Sequence, residues 1–170
     1  MQGQERGYAV SPHLRHVGIS EMRVSGNCNE VLVTYSLGSC VGLTLYDPKL
    51  RLGGLIHCML PLASVDPEKA RMQPGMFVDS GVTRLLQRML DRGASRRRLI
   101  AKVAGGAAPL DERGHFRIGE RNYATVRKLL WRNDILIDAE DVGGNAARSM
   151  YLHIADGRTL IRKNREWGEL

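Results

Sequence analysis

This sequence predicts a sandwich of the α/β or α+β kind, with mixed, largely antiparallel sheets and two main helices covering sheet faces. Three observations carry that expectation. Short runs rich in β-branched and aliphatic residues, bounded by Gly, Asn, Asp or Pro, crowd both ends of the chain. Two longer stretches between them repeat apolar residues at helical spacing. The chain has 170 residues, enough for one well-buried core and hardly two.

Residues 1–15 are polar and read as a flexible segment ahead of a single domain at 16–170. The stretches 17–24, 31–36, 41–46 and 52–59 follow as four strands of an antiparallel meander, with Asp47-Pro48 marking one turn. In 74–92, Met76, Phe77, Val82, Leu85, Leu86, Met89 and Leu90 recur at helical spacing and Gly93 stops the helix. A buried strand at 99–104 ends in Gly105-Gly106. A second helix at 119–131 turns Tyr123, Val126, Leu129 and Leu130 inward, and 135–139 returns as a strand. Gly143-Gly144 reads as a tight strand-to-loop transition. The runs 149–154 and 159–162 are joined by Asp156-Gly157, a strong hairpin signal. No internal repeat, low-complexity tract or domain boundary interrupts this order.

Composition narrows the function. With two Phe and two Trp, aliphatic residues must build most of the core. No stretch has the length and purity of a membrane helix, so no membrane insertion is expected. The N-terminus lacks the apolar core of an export signal, so a cytoplasmic protein with three reduced cysteines is expected. The net charge is +7, with arginines gathered at Arg92, Arg96, Arg97 and Arg98 and in a tail from Arg158 to Arg165. That balance suits an acidic partner, or a solvated face at a helix end. Nucleic acid is not the expected partner, because no aromatic-rich strand or binding motif accompanies the charge.

The chemistry-bearing segment is Thr34-Tyr-Ser-Leu-Gly-Ser-Cys40 together with Gly53-Gly-Leu-Ile-His57-Cys-Met-Leu-Pro61. A free thiol near pKa 8.5 is only a few per cent ionised at neutral pH, so a cysteine nucleophile needs a base, which His57 can be. Taking the thiol proton gives a thiolate–imidazolium pair, and the imidazolium then protonates a leaving amine. The imidazole needs a third group to orient it, and Thr34 offers a hydroxyl or a backbone carbonyl. The trio comes together if 31–36, 41–46 and 52–59 share one sheet, whose strands lie about 4.8 Å apart. Gly38 lets the chain turn tightly enough to aim the Ser39 and Cys40 amides at a developing oxyanion. Cys28, in an Asn-Cys-Asn turn, and Cys58, beside His57, lack such a glycine turn and read as structural. A metal site built on Cys40, His57 and Cys58 is disfavoured because adjacent strand residues point to opposite faces, and neither metal nor cofactor is expected.

These residues resemble the CheD chemoreceptor glutamine deamidases of bacterial and archaeal chemotaxis. The resemblance runs through LGSCVGLTLYDP (37–48), GGLIHCMLP (53–61), FVDSGVTRLL (77–86), AKVAGGA (101–107), FRIGERN (116–122) and EDVGGNAARSM (140–150). It implies a three-layer sandwich, Cys40 as nucleophile, His57 as base and Thr34 as the third group. The implied reaction is hydrolysis of glutamine side-chain amides on methyl-accepting chemotaxis receptors, giving glutamate and ammonia. Some members are also receptor methylesterases, and many associate with a CheC-type phosphatase. The segment after Ala107, Ala108-Pro-Leu-Asp-Glu-Arg, departs from the Met-Phe-like pair more usual in the family. Arg148 reads as a loop anchor. The alternative reading is a non-enzymatic chemotaxis interaction protein that binds receptors or a CheC-type phosphatase. A different thiol acyl-transfer enzyme, such as a peptidase, is a third.

Overall fold

The computed structural model describes residues 11–108 and 117–170. In chain order the elements are β1 (His13–His16), β2 (Met22–Ser25), β3 (Glu30–Leu37), β4 (Val41–Asp47), β5 (Leu52–Cys58), α1 (Pro67–Met72), α2 (Val78–Asp91), β6 (Ile100–Gly105), α3 (Ile118–Arg132), β7 (Ile137–Val142), β8 (Arg148–His153), β9 (Thr159–Lys163) and β10 (Glu166–Glu169). Two five-stranded sheets form, ordered β1-β3-β8-β9-β10 and β2-β5-β4-β6-β7. The pairs β1/β3 and β6/β7 are parallel, and the others are antiparallel. The mixed, largely antiparallel sandwich is therefore borne out, with α2 and α3 covering one face of the second sheet.

Two apolar layers result. Leu32, Leu37, Leu55, Met150, Leu152 and Ile154 fill the space between the sheets. Leu43, Leu45, Ile56 and Val103 meet Val82, Leu85, Met89, Val126 and Leu130 of the helices. β4 and β5 lie between the two layers and are buried at every position, which is why both read as nearly unbroken apolar runs. In the other sheet, which has one face toward the core, β8 alternates instead. Each aliphatic side chain taken fully out of water contributes about 1.5–3 kcal/mol, so the inward stripe of α2 is a main holding force.

Several expectations change. The run 17–24 is not one strand: it breaks at a turn in which the Gly18 N–H donates to Glu21 Oε2 at 2.8 Å, leaving β1 and β2 in different sheets. β1 already begins at His13, and of the N-terminal segment the first ten residues lie outside the described residues, as do 109–116 and most of the segment after Ala107. The meander is replaced by a sandwich pairing, because β3 joins β1 and β8 rather than β4. α1, six residues long, went unread because it buries none of them. Pro67 at its start and the Asp66 carboxylate accepting the Lys69 N–H at 3.0 Å hold it locally. β10 adds an exposed strand at the C-terminal end.

The arginine cluster at 92–98 divides. Arg98 forms a 2.7 Å ion pair with the fully buried Asp47, while the Arg92 guanidinium donates to the Val24 carbonyl at 3.3 Å. Burial raises the Asp47 carboxyl, but the Arg98 guanidinium with the Ser95 and Leu50 N–H groups outweighs it and holds it below the usual carboxylate range.

Candidate active site

The site is built where β3 hands over to β4. A bulge precedes the turn: Thr34 pairs with Met150 and Leu37 with Arg148, three steps on β3 against two on β8. Ser36 takes up the extra residue with φ of 59°, and the chain turns through residues 38–40. The turn's carbonyls are then tied down. Gly38 accepts from the Ala107 N–H at 2.8 Å, Ser39 from Asn122 Nδ2 at 2.9 Å, and Cys40 from the Gly106 N–H at 2.8 Å. Gly105, at φ of 105°, must be glycine here, since a Cβ would collide with the Cys40 carbonyl oxygen.

Register places the histidine. Val41 pairs with Cys58 and Gly42 with His57, so His57 shares a face with Gly42, while Val41 and Cys58 join the helix-side layer. Cys40 directly precedes β4, two residues before Gly42, the pairing partner of His57. Cys40 is half-buried and packs against the inter-sheet layer, the side on which His57 lies.

Thr34 meets His57 from the opposite sheet, not from the same one. Its Oγ1 lies 2.7 Å from His57 Nδ1 and donates to the Val17 carbonyl at 2.7 Å, all within the buried interior. A carbonyl can only accept and a hydroxyl has one proton, so Thr34 accepts from His57 Nδ1–H. That fixes the tautomer and leaves the Nε2 lone pair bare. Nε2 is buried and has no hydrogen-bond partner among the described residues. The expectation that three strands of one sheet assemble the trio is thereby corrected: the contact crosses the sandwich, and the hydroxyl rather than the carbonyl of Thr34 makes it.

Electrostatics favours the uncharged forms. Burial, with a smaller electrostatic contribution from nearby His16, pushes the His57 imidazole down to about 4. Burial likewise raises the Cys40 thiol, opposed in part by its own backbone N–H. At neutral pH the resting pair is therefore thiol and neutral imidazole, in place of the thiolate–imidazolium pair expected from the residue types. Cys58, fully buried on the other face, is pushed far higher. Cys28 is exposed in the turn between β2 and β3.

One participant was missed in the sequence. Asn122 is fully buried on α3, and its Nδ2 donates to both Ser39 O and Met59 O at 2.9 Å, tying the cysteine turn to the end of the histidine strand. Its signal was present: Asn122, Val126 and Leu130 follow i, i+4, i+8 spacing, a polar residue on a core stripe. Arg148 is an anchor, as read. Its buried guanidinium donates to the carbonyls of Asp141, Gly143 and Ala146 and pairs with the Asp141 carboxylate at 2.9 Å. Gly143 and Gly144 adopt φ of 78° and 70° in that loop.

No helix among the described residues is long and apolar enough to cross a membrane, and no group of three or more His, Cys, Asp or Glu residues there could hold a metal ion. The arrangement suits acyl transfer: a thiol, a base with a bare nitrogen on the same face, and the base's other nitrogen held by a hydroxyl.

Comparison with known proteins gives concordant matches. A family model described as CheD chemotactic sensory transduction matches residues 59–163. A protein of Solibacter usitatus named probable chemoreceptor glutamine deamidase CheD is 46% identical over 154 residues, 91% of each chain. One from Syntrophus aciditrophicus, named probable chemoreceptor glutamine deamidase CheD 1, is 45% identical over 148 residues, 87% of this chain and 92% of its own. An archaeal relative from Archaeoglobus fulgidus with the same CheD deamidase name is 42% identical over 156 residues, 91% of this chain and 95% of its own.

Proposed function

The chain belongs to the CheD family, and from that premise we propose that it deamidates glutamine side chains of chemoreceptors, with Cys40 as nucleophile, His57 as base and Thr34 orienting the imidazole. The observation that carries these roles is the chain of contacts from the Val17 carbonyl through the Thr34 hydroxyl to His57 Nδ1, which leaves Nε2 bare on the face that bears Cys40.

As the Cys40 sulfur attacks the glutamine Cδ, its proton passes to His57 Nε2, so neither group need be ionised beforehand. The carbonyl π pair moves to oxygen. The N–H groups of Ser39 and Cys40 are assigned to this oxyanion. Supporting that, the turn's carbonyls are all engaged, while neither N–H donates to a backbone carbonyl among the described residues. The C–N bond then breaks, His57 returns its proton to the nitrogen, and ammonia leaves behind a γ-glutamyl thioester. Water, deprotonated by the now neutral His57, attacks the thioester. The C–S bond breaks, the thiol regains its proton, and glutamate is released.

Incubating the protein with a receptor cytoplasmic fragment, then reading peptide masses and released ammonia, tests this reading. Glutamine-to-glutamate conversion that disappears in Cys40→Ala is expected. Full conversion by that variant would overturn the nucleophile, and intact glutamines with the wild-type chain would overturn the reaction. A non-enzymatic interaction protein would bind the fragment without converting it.

Residues 16–170, with β1 paired ahead of them, are taken as one catalytic domain, since one sheet joins β1 and β3 to the C-terminal strands β8, β9 and β10. The cytoplasm is the proposed compartment, because a thiol nucleophile needs a reducing environment and all three cysteines are free. A CheC-type phosphatase is the proposed regulator, to be tested by co-elution of the two purified proteins. Receptor methylesterase activity would use the same acyl-transfer machinery on an ester, and methanol release measures it.

A further inference from the structure

A cavity of about 490 Å³ opens beside the strand that carries His57, lined by the 16–23 segment, the end of α1 and the outer side of α2. Four guanidinium groups border it: Arg23 from β2, Arg71 from α1, and Arg84 and Arg88 one turn apart on α2. Glu21 is the one carboxylate among its described lining residues, and one of its oxygens already accepts the Gly18 N–H. Among the described residues Arg71 is held only by a 3.6 Å contact to Glu68, in which both side chains are largely exposed and water screens the attraction. Arg23, Arg84 and Arg88 make no ion pair among the described residues.

Like charges one helical turn apart weaken a helix slightly, and gathering four cations around one opening makes a positive surface that favours an anionic occupant. Other arginines of this chain are used differently, Arg98 in a buried ion pair and Arg148 in a buried loop anchor. The cavity is also wired to the site. The Ser20 N–H donates to the His57 carbonyl at 2.9 Å and the His57 N–H to the Glu21 carbonyl at 3.1 Å, and Ser20 and Glu21 both line the opening.

We propose that this arginine-lined cavity binds an acidic stretch of the polypeptide substrate, holding the chain that flanks the reacting glutamine while His57 and Cys40 work alongside. The assignment rests on the deamidase reading for what the occupant is. A polypeptide is favoured because the cavity adjoins the histidine of a site whose substrate is itself a polypeptide.

Two charge reversals of equal size test it: Arg84→Glu/Arg88→Glu at the cavity, and Lys128→Glu/Arg132→Glu on the exposed face of α3, all at surface positions that leave the cores intact. With a receptor cytoplasmic fragment, the cavity pair should raise KM about tenfold while kcat holds, and the α3 pair should leave both nearly unchanged. Binding of fluorescein-labelled oligoglutamate should likewise be lost on the cavity pair alone and weaken with salt. Equal effects of the two pairs, or none from the cavity pair, would overturn the assignment. So would oligothymidylate binding the wild-type chain as tightly through the same arginines. Because the oligoglutamate measurement needs no turnover, a wild-type chain that leaves receptor glutamines intact overturns the deamidase reading while the cavity is still decided by binding.

Discussion

The two layers on either side of the β2-β5-β4-β6-β7 sheet are packed alike and serve different ends. On the helix side the buried polar side chains that accompany the apolar residues stand at the two ends of β4, Asp47 with Arg98 at one and Asn122 at the other. Between the sheets, Thr34 and His57 sit inside the layer beside Leu37 and Leu55. Among the described residues, the buried side-chain atoms without partners are His57 Nε2, Asn122 Oδ1 and Arg148 Nε, and all three belong to groups around the Cys40 turn. Stability alone disfavours unpartnered buried polar atoms, so their concentration around the Cys40 turn marks where the fold gives up stability for chemistry.

The sharpest way to break the comparison is to remove the thiol on each face. Cys40→Ala should abolish ammonia release, whereas Cys58→Ala should keep the rate within a few-fold and show its effect in the urea midpoint, losing on the order of 1 kcal/mol of packing. Equal activity losses would dissolve the distinction between the two layers.

Next in size is Thr34→Val, which keeps the shape and removes the hydroxyl. The Val17 carbonyl and His57 Nδ1–H would be left unpaired, costing about 1–3 kcal/mol of stability. Free choice of tautomer should lower kcat by roughly two orders of magnitude, by analogy with losing a group that orients a catalytic imidazole. Thr34→Ser should recover most of both, and a serine variant no better than valine would show that the methyl, not the hydroxyl, matters.

A subtler contrast lies along α3, between Asn122→Ala and Val126→Ala. Asn122 spans the cysteine turn and the end of the histidine strand, so its loss should cost about 10–100-fold in kcat through misplacement. Val126→Ala should cost about 1–2 kcal/mol of stability with kcat nearly intact. Parallel losses in both variants would make Asn122 an ordinary core residue.

The last contrast is a pH dependence. The folded His57 sits near 4, below its ordinary 6.5, so between those values the unfolded chain binds the extra proton and stability rises with pH. The contribution is complete above about 6.5 and is lost as pH falls toward 4, amounting to about 3 kcal/mol at most. Urea midpoints at pH 7 and pH 5 should therefore differ more in the wild type than in His57→Gln. Because the resting pair is uncharged, iodoacetamide at pH 6 should alkylate Cys40 no faster than free cysteine, and rapid reaction would instead show a standing thiolate.

How far the sequence reached varied with the range of the interaction. Strands at 31–36, 41–46, 52–59 and 149–154 and the helices ending near Gly93 and Trp131 were legible because periodicity and turn residues are local. The Asp156-Gly157 hairpin was read for the same reason. The run 17–24 misled because apolar residues flank a turn that only the Gly18–Glu21 hydrogen bond reveals. Thr34, Cys40 and His57 could be singled out by residue type, but the expected single sheet was wrong. Asn122 looked like one polar residue among several on its helix.

By itself the sequence determined the order of the elements, the residue types able to do acyl transfer and, through several blocks in one order, the family. Only the tertiary structure decided that β3 lies in the other sheet, that the Thr34 hydroxyl crosses the sandwich to fix the tautomer, and that burial keeps the thiol and imidazole uncharged at rest. The reason is physical. Backbone preference is set by neighbours along the chain, whereas sheet pairing, the direction of a proton and the charge of a buried group depend on segments brought together from distant parts of it.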